Sequence, residues 1–235
     1  MEMGGKIIHR RNFLTTGLAA GAAVSLGAGA ANAENPKAVR IVGVSCSPRE
    51  GKTTATGVKT ALDAAKRVSP RIEVELLDLG GLEISGWVGG AKPTDPNLAK
   101  DDFDLYLLPK LRDRVPDGLI IGSPVYFRTM SALCKAFLER LAVLRSPKLL
   151  LADKPVGVLA VGAYRNGGQE LIISEIQAAM LCHEVMLVGG KPSAHQGATL
   201  WNAYDDDITK DEFGMDSAKR LGIRVAEAAL HIAQK

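Results

Sequence analysis

Cysteine is scarce in this chain. There are three, Cys46, Cys134 and Cys182, and no two stand at C-x-x-C spacing. A metal centre built from cysteine is therefore disfavoured, and an odd number leaves at least one thiol outside any internal disulfide. Cys134 and Cys182 fall in apolar helical patterns and are expected to be buried thiols. A basic run or stripe is also missing. The first 33 residues carry three basic residues and one acidic one, so the remainder holds 26 basic against 25 acidic residues. A surface that near to neutral gives no footprint for nucleic acid. Nor is there an internal repeat or a low-complexity tract after Ala33. About 200 residues then make one domain, large enough for a single core.

The beginning of the chain reads as an address. Lys6, Arg10 and Arg11 are followed by a Gly/Ala-rich apolar run, Phe13 to Ala30, and by Ala31-Asn32-Ala33, a small-x-small cleavage pattern. Arg10-Arg11-Asn12-Phe13-Leu14 resembles the twin-arginine export signal, with His9 where Ser or Thr is usual. A membrane anchor is the alternative, but Gly and Ala insert weakly. The expectation is a signal peptide over 1–33, cleavage before Glu34, a mature domain over 34–235 and a periplasmic location.

Beyond residue 33, strands and helices alternate. Val39–Val44, Leu119–Gly122 and Pro155–Val161 are continuous apolar runs. Arg71–Leu77 alternates apolar and charged residues, as an edge strand does, and Val185–Val188 is a short fifth strand. Helices are expected over Thr53–Arg67, Phe103–Arg114, Ser131–Leu144, Gln169–Leu181 and Met215–Ala233. Long loops fill Leu79–Lys100 and Pro192–Glu212. Five βα units imply an α/β, three-layer fold of the flavodoxin-like kind. Its five-stranded parallel sheet would have order 2-1-3-4-5, with a ligand at the carboxyl ends of strands one and three.

The loop after the first strand, Cys46-Ser47-Pro48-Arg49-Glu50-Gly51-Lys52, leads into a helix beginning Thr53-Thr54. The first N–H groups of a helix have no partner within it and favour an anion. Ser47, Thr53 and Thr54 add hydroxyls; Arg49 and Lys52 add charge. The pattern G-x-x-x-x-G-K-[ST] of nucleoside triphosphatases fails here, because its first glycine would be residue 46, which is Cys46. The acidic Mg²⁺ ligand of those enzymes is missing too, since Leu119–Gly122 ends in Ser123-Pro124. A flavin phosphate is the leading reading; a nucleoside triphosphate and a plain turn remain alternatives. Two further loops fall at the same sheet edge. Pro124, Val125, Tyr126 and Phe127 offer aromatic faces after a stiff turn. Arg165, Gly167 and Gly168 precede a helix, and the glycines let backbone approach a ligand closely.

Ser47-Pro48-Arg49, Gly122-Ser123-Pro124-Val125-Tyr126 and Arg165-Asn166-Gly167-Gly168-Gln169-Glu170 together resemble the FMN-binding loops of flavodoxin-like NAD(P)H-dependent FMN reductases, the iron–sulfur flavoproteins in particular. The likeness runs from about Val39 to Ala229. It implies that Ser47, Arg49, Lys52, Thr53 and Thr54 hold the FMN phosphate. Pro124, Val125, Tyr126 and Phe127 would line the isoalloxazine, and Arg165, Gly167 and Gly168 would approach its other edge. It further implies electron transfer from NAD(P)H through FMN to a quinone, metal ion or second flavin, and a homodimer or homotetramer.

The chain also departs from that family. Iron–sulfur flavoproteins carry a cysteine cluster after the second strand, and Leu79–Lys100 contains no cysteine. Trp87 in that loop covers the flavin on one reading and is a dimer contact on another. An exported protein also lies away from cytoplasmic NAD(P)H. Two functions therefore stand side by side: an FMN-dependent oxidoreductase, and a non-catalytic FMN electron carrier serving a membrane redox complex. The near-neutral mature chain lacks the acidic surface of a small shuttle flavodoxin. No side chain is expected as a proton donor, since flavin carries the chemistry. His183 and His195 are solitary, and Asp205-Asp206-Asp207 reads as a solvated loop rather than a cation site.

Overall fold

The computed structural model describes residues 37–87, 100–203 and 205–234. The expected signal peptide, 1–33, lies outside the described residues, as does 88–99 of the loop after the second strand. The strands are β1 (Val39–Ser45), β2 (Ile72–Asp78), β3 (Gly118–Tyr126), β4 (Thr129–Met130), β5 (Pro155–Gly162), β6 (Met186–Leu187) and β7 (Ala198–Trp201). The helices are α1 (Thr53–Lys66), α2 (Leu108–Arg112), α3 (Ala132–Arg140), α4 (Gln169–Leu181) and α5 (Glu212–Ile232).

The sheet order is β2-β1-β3-β5-β6, all parallel. That is the 2-1-3-4-5 order expected of five parallel strands, with β2 at one edge. Two strands are additional, making seven among the described residues. β4 folds back antiparallel on the end of β3. β7 pairs in parallel with Leu159–Gly162 of β5, while β6 pairs with Pro155 and Val156. The two short strands thus share one flank of β5, and part of the expected 192–212 loop is sheet.

Alternation along β1 divides the core between the faces. Val42 and Val44 pack with Phe103, Phe137, Ile172 and Ile176 beneath α3 and α4; Val39 and Ile41 pack with Val58, Leu62, Leu221 and Val225 beneath α1 and α5. Buried side chains on both faces of a parallel sheet are what the continuous apolar strands require. α1 lies especially close to the sheet. A Cβ on Gly43 would stand 2.5 Å from Val58 Cγ1, and one on Gly122 would stand 2.5 Å from Val58 Cγ2. Bare backbone at these two positions seats the helix, and with it the helix's amino end at the tip of β1.

The helix expected over Phe103–Arg114 is shorter and irregular. It opens as a π-helical turn, Phe103–Leu107, and ends at Arg112. Pro109 explains this: its ring would collide with the carbonyl one α-turn earlier, and a widened turn relieves the clash. Cys182 corrects a second expectation. It is the C-terminal cap of α4 and is exposed, whereas Cys46 and Cys134 are buried.

Candidate cofactor site

The loops after β1, β3 and β5 meet at one sheet edge because their strands are neighbours in register: Ser45 pairs with Gly122, and Pro124 with Val161. The β1 loop is an anion cradle by its own chemistry. Lys52, the cap residue of α1, supplies no side-chain acceptor to the helix, and no acidic residue stands in the first turn. The end of the helix dipole is therefore not neutralised from within. Thr53 and Thr54 are buried there, and Thr54 Oγ1 has no hydrogen-bond partner among the described residues. Ser47 is buried and its Oγ accepts from Arg49 N at 3.1 Å. Gly51 turns the chain with φ 66°, its N–H donating to Asp78 Oδ2 at 2.7 Å, which ties the loop to the end of β2. Arg49 and Lys52 stay at the surface, with side chains 46% and 53% exposed.

The β3 loop differs from expectation. Pro124, Val125 and Tyr126 belong to the strand itself, and Phe127-Arg128 form a two-residue hairpin turn into β4. Both turn residues have positive φ, 51° and 65°. Such a turn favours Asn-Gly, so two bulky side chains hold it at a cost. Phe127 projects wholly into solvent and Tyr126 is partly exposed. Ser131, at the start of α3, ties the hairpin's return to the β1 loop. Its Oγ donates to Cys46 O at 2.6 Å and accepts from Cys134 N, and its N–H reaches Ser123 Oγ.

The β5 loop is fixed from three sides. Gln169 folds back so that Oε1 accepts from Gly167 N at 2.8 Å while Nε2 donates to Tyr164 O. Gly168, with φ 116°, lies against the hairpin tip; a Cβ there would stand 3.2 Å from Arg128 Cα. Trp201 Nε1 donates to Ala163 O at 2.7 Å. Arg165 does not reach freely toward a ligand. Its guanidinium forks onto both oxygens of buried Asp211 and lies over the rings of Trp201 and Phe213. The structure thus joins the β1 group, the hairpin and Gly167–Gly168 in one place, and gives Arg165 the separate task of anchoring the loop.

Two residues at this site are not assigned to it from sequence, where Asp205-Asp206-Asp207 reads as a solvated loop. Ser131 carries a legible signal, a serine at a helix start. Asp206 carries none, because the 192–212 segment has no periodicity. Its carboxylate meets Arg49 at 2.7 Å and Lys52 at 3.3 Å. Burial acts to raise the Asp206 pKa, but hydrogen bonds from Arg49 and Lys52 prevail and hold it below the usual carboxylate range. The acidic triplet is dispersed: Asp205 pairs with Lys210, and Asp207 accepts from Thr209. His183 is buried with Nδ1 unpartnered among the described residues; burial, then Arg145, pushes its pKa down.

A phosphate-bearing flavin suits this edge: an uncapped helix start, an orphaned buried hydroxyl, two cations and a rim of aromatic side chains. The comparison with known proteins decides the family. NADPH-dependent FMN reductase matches residues 39–199. The chain belongs to the NADPH-dependent FMN reductase family. It is 37% identical over 193 residues to an iron-sulfur flavoprotein of Methanocaldococcus jannaschii, covering 80% of this chain and 96% of that protein. It is 31% identical to the iron-sulfur flavoprotein of Methanosarcina thermophila, covering 78% and 93%. Two solved structures share the fold. RosB with bound 8-demethyl-8-formylriboflavin-5'-phosphate has a TM-score of 0.66 at 14% identity, over 84% of this chain and 81% of that one. A WrbA-like flavodoxin from Agrobacterium tumefaciens has a TM-score of 0.54 at 15% identity, over 83% and 98%. This FMN reductase family member is a flavodoxin-like flavoprotein whose cofactor is FMN and whose chemistry is FMN-dependent oxidoreduction.

Proposed function

We propose that this protein is an exported FMN-dependent oxidoreductase. Ser47, Thr53, Thr54 and the amino end of α1 hold the FMN phosphate, with Arg49 and Lys52 closing over it. The single observation that carries this reading is Thr54 Oγ1, a buried hydroxyl with no partner among the described residues at an uncapped helix start. Pro124, Val125, Tyr126 and Phe127 line the isoalloxazine from the hairpin, and Gly167 and Gly168 bring bare backbone to its other edge. Bound FMN supplies the redox chemistry, taking a hydride and passing electrons on. The chain supplies position, charge and exclusion of water. Arg165 serves by holding the β5 loop against Asp211.

The donor is read as NAD(P)H by family, and the acceptor as a quinone, metal ion or other electron carrier. The working form is a homodimer or homotetramer. Arg10-Arg11 directs the folded protein to the periplasm, where a membrane redox complex is the alternative partner. Among the described residues no helix is long and apolar enough to cross a membrane.

Boiling the purified protein should release one FMN per chain. Replacing Arg49 and Lys52 by Ala together should weaken FMN far more than riboflavin, which lacks the phosphate. Charge-assisted hydrogen bonds contribute about 1.5–3 kcal/mol each, so even one lost bond costs FMN roughly tenfold or more. Equal losses for the two ligands would place these residues elsewhere. Turnover with NADPH and a quinone supports the enzyme; stable FMN without turnover supports the carrier. Arg10→Lys with Arg11→Lys should strand the precursor in the cytoplasm, and unchanged periplasmic yield would remove the export reading.

A further inference from the structure

The carboxylate of Asp206 divides its two oxygens between two cations. Oδ1 takes Arg49 Nη1 at 2.7 Å and Oδ2 takes Lys52 Nζ at 3.3 Å. Two oxygens on one small anionic group, shared between a guanidinium and an ammonium, is also what a phosphate would offer the same side chains. Asp206 arrives from the far end of the chain and is held up to the β1 loop by left-handed backbone, φ 55°. Its flanks are anchored elsewhere. Asp211 receives Trp201 N, Gly214 N and the Arg165 guanidinium. Asp205 and Asp207 are turned to Lys210 and Thr209. A short segment with a fixed base therefore presents one carboxylate to the cradle.

We propose that Asp206 is an internal competitor for the flavin phosphate, a carboxylate that must leave Arg49 and Lys52 before a phosphate is held by both. This rests on the reading of Arg49 and Lys52 as phosphate residues. A phosphate and a carboxylate on the same two cations repel one another, so the two anions exclude each other. The exposed pairs that Asp206 makes are individually weak, and only the surface stretch around Asp206 has to move, because Ile208 stays buried in the core. Asp206 thereby lowers the preference of the protein for FMN over riboflavin. It also keeps the two cations placed for an anion when flavin is exchanged.

The test uses the full chain and two variants, Asp206→Asn and the double Arg49→Ala/Lys52→Ala. Each is equilibrated with FMN or with riboflavin, and free flavin is measured after ultrafiltration. Asp206→Asn keeps the side-chain shape and removes the charge. It should tighten FMN about tenfold and leave riboflavin within twofold, widening the ratio between them. An unchanged riboflavin affinity also reports that the variant is folded. The inference is overturned if Asp206→Asn leaves FMN unchanged or weakens it while the double variant still loses FMN selectively. Asp206 would then position the cations for the phosphate, and the assignment of the phosphate site would stand. If the double variant loses FMN and riboflavin equally, the phosphate assignment and the competition fall together.

Discussion

Ser131 Oγ donates to the carbonyl oxygen of Cys46 at 2.6 Å, across 85 residues of chain. The same hydroxyl accepts from Cys134 N at 3.0 Å, as the cap of α3. One buried side chain thus satisfies a helix start and the first carbonyl of the loop after β1. Ser131→Ala removes both bonds and leaves a buried carbonyl unpaired. A lost cap and an orphaned buried acceptor each cost about 1–2 kcal/mol. The expected loss is therefore roughly 2–4 kcal/mol in urea unfolding, with weaker binding of FMN and riboflavin alike. A loss confined to FMN would show that Ser131 acts on the phosphate rather than on the loop.

Asp211 accepts from Gly214 N at 2.9 Å, from Trp201 N at 2.8 Å and from Arg165. Asp211→Ala removes all three and should cost about 2–4 kcal/mol. Arg165→Ala removes only the ion pair and the ring contacts, and its half-exposed guanidinium makes the cost smaller, about 1 kcal/mol. If Arg165→Ala weakens FMN strongly at unchanged stability, Arg165 touches flavin after all. The denaturation midpoint and the flavin affinity, measured on the same variants, separate the two.

These examples mark where sequence reading reached its limit. The βα units were legible because continuous apolar strands and capped helices are local patterns: α4 falls at Gln169–Leu181 as expected, and the parallel order follows from the alternation. The β1 loop was legible because Ser, Arg, Lys and Thr stand together before a helix. Contacts made between distant segments were not. Ser131 meeting Cys46, Asp206 meeting Arg49, and Asp211 holding Arg165 each depend on which loops the sheet brings together. β7 was hidden because four residues following Gly197 carry too little periodicity to stand out. Cys182 read as buried because α4 is apolar on much of its surface, yet the helix ends just before it.

Asp101 and Arg140 provide a pH test. Arg140 bridges Asp101 and Asp104 and lies 4.8 Å over the Phe103 ring, fastening the return of the 79–100 loop to α3. Burial opposes ionisation of Asp101, but the N–H of Ser85 and the Arg140 guanidinium prevail and hold its pKa below the usual aspartate value. A lowered folded pKa means stability that is present above the unfolded value, about 3.9, and lost as pH falls through the folded one. Asp101→Asn should cost about 1.5–3 kcal/mol at neutral pH. The gap between variant and parent should close as pH drops below about 4. A gap that stays constant down to pH 3 would show that charge on Asp101 is not what stabilises the contact.

The relatives from Methanocaldococcus jannaschii and Methanosarcina thermophila are iron-sulfur flavoproteins, and this chain should purify without such a centre. A four-thiolate cluster needs four cysteines, and the sequence holds three, none of them between Leu79 and Lys100. Nor do all three meet: Cys46 and Cys134 are neighbours, but Cys182 stands apart. Cys46 opens the loop after β1 and Cys134 lies in the first turn of α3, both buried, while Cys182 caps the far end of α4 at the surface. Burial, and then the hydrogen bond with Cys134, push the Cys46 thiol up, which keeps it protonated and a poor ligand. On the proposed function electrons would then reach FMN directly from a docked donor, and the loop carrying Trp87, whose N–H is held by Glu139 Oε2 at 2.8 Å, is the proposed dock. Anaerobically purified protein should show flavin bands alone and far less than one iron per chain. Trp87→Ala should change donor or acceptor kinetics more than FMN affinity. Stoichiometric iron and sulfide, or a Trp87 variant that alters neither kinetics nor oligomeric state, would sink this account of the loop.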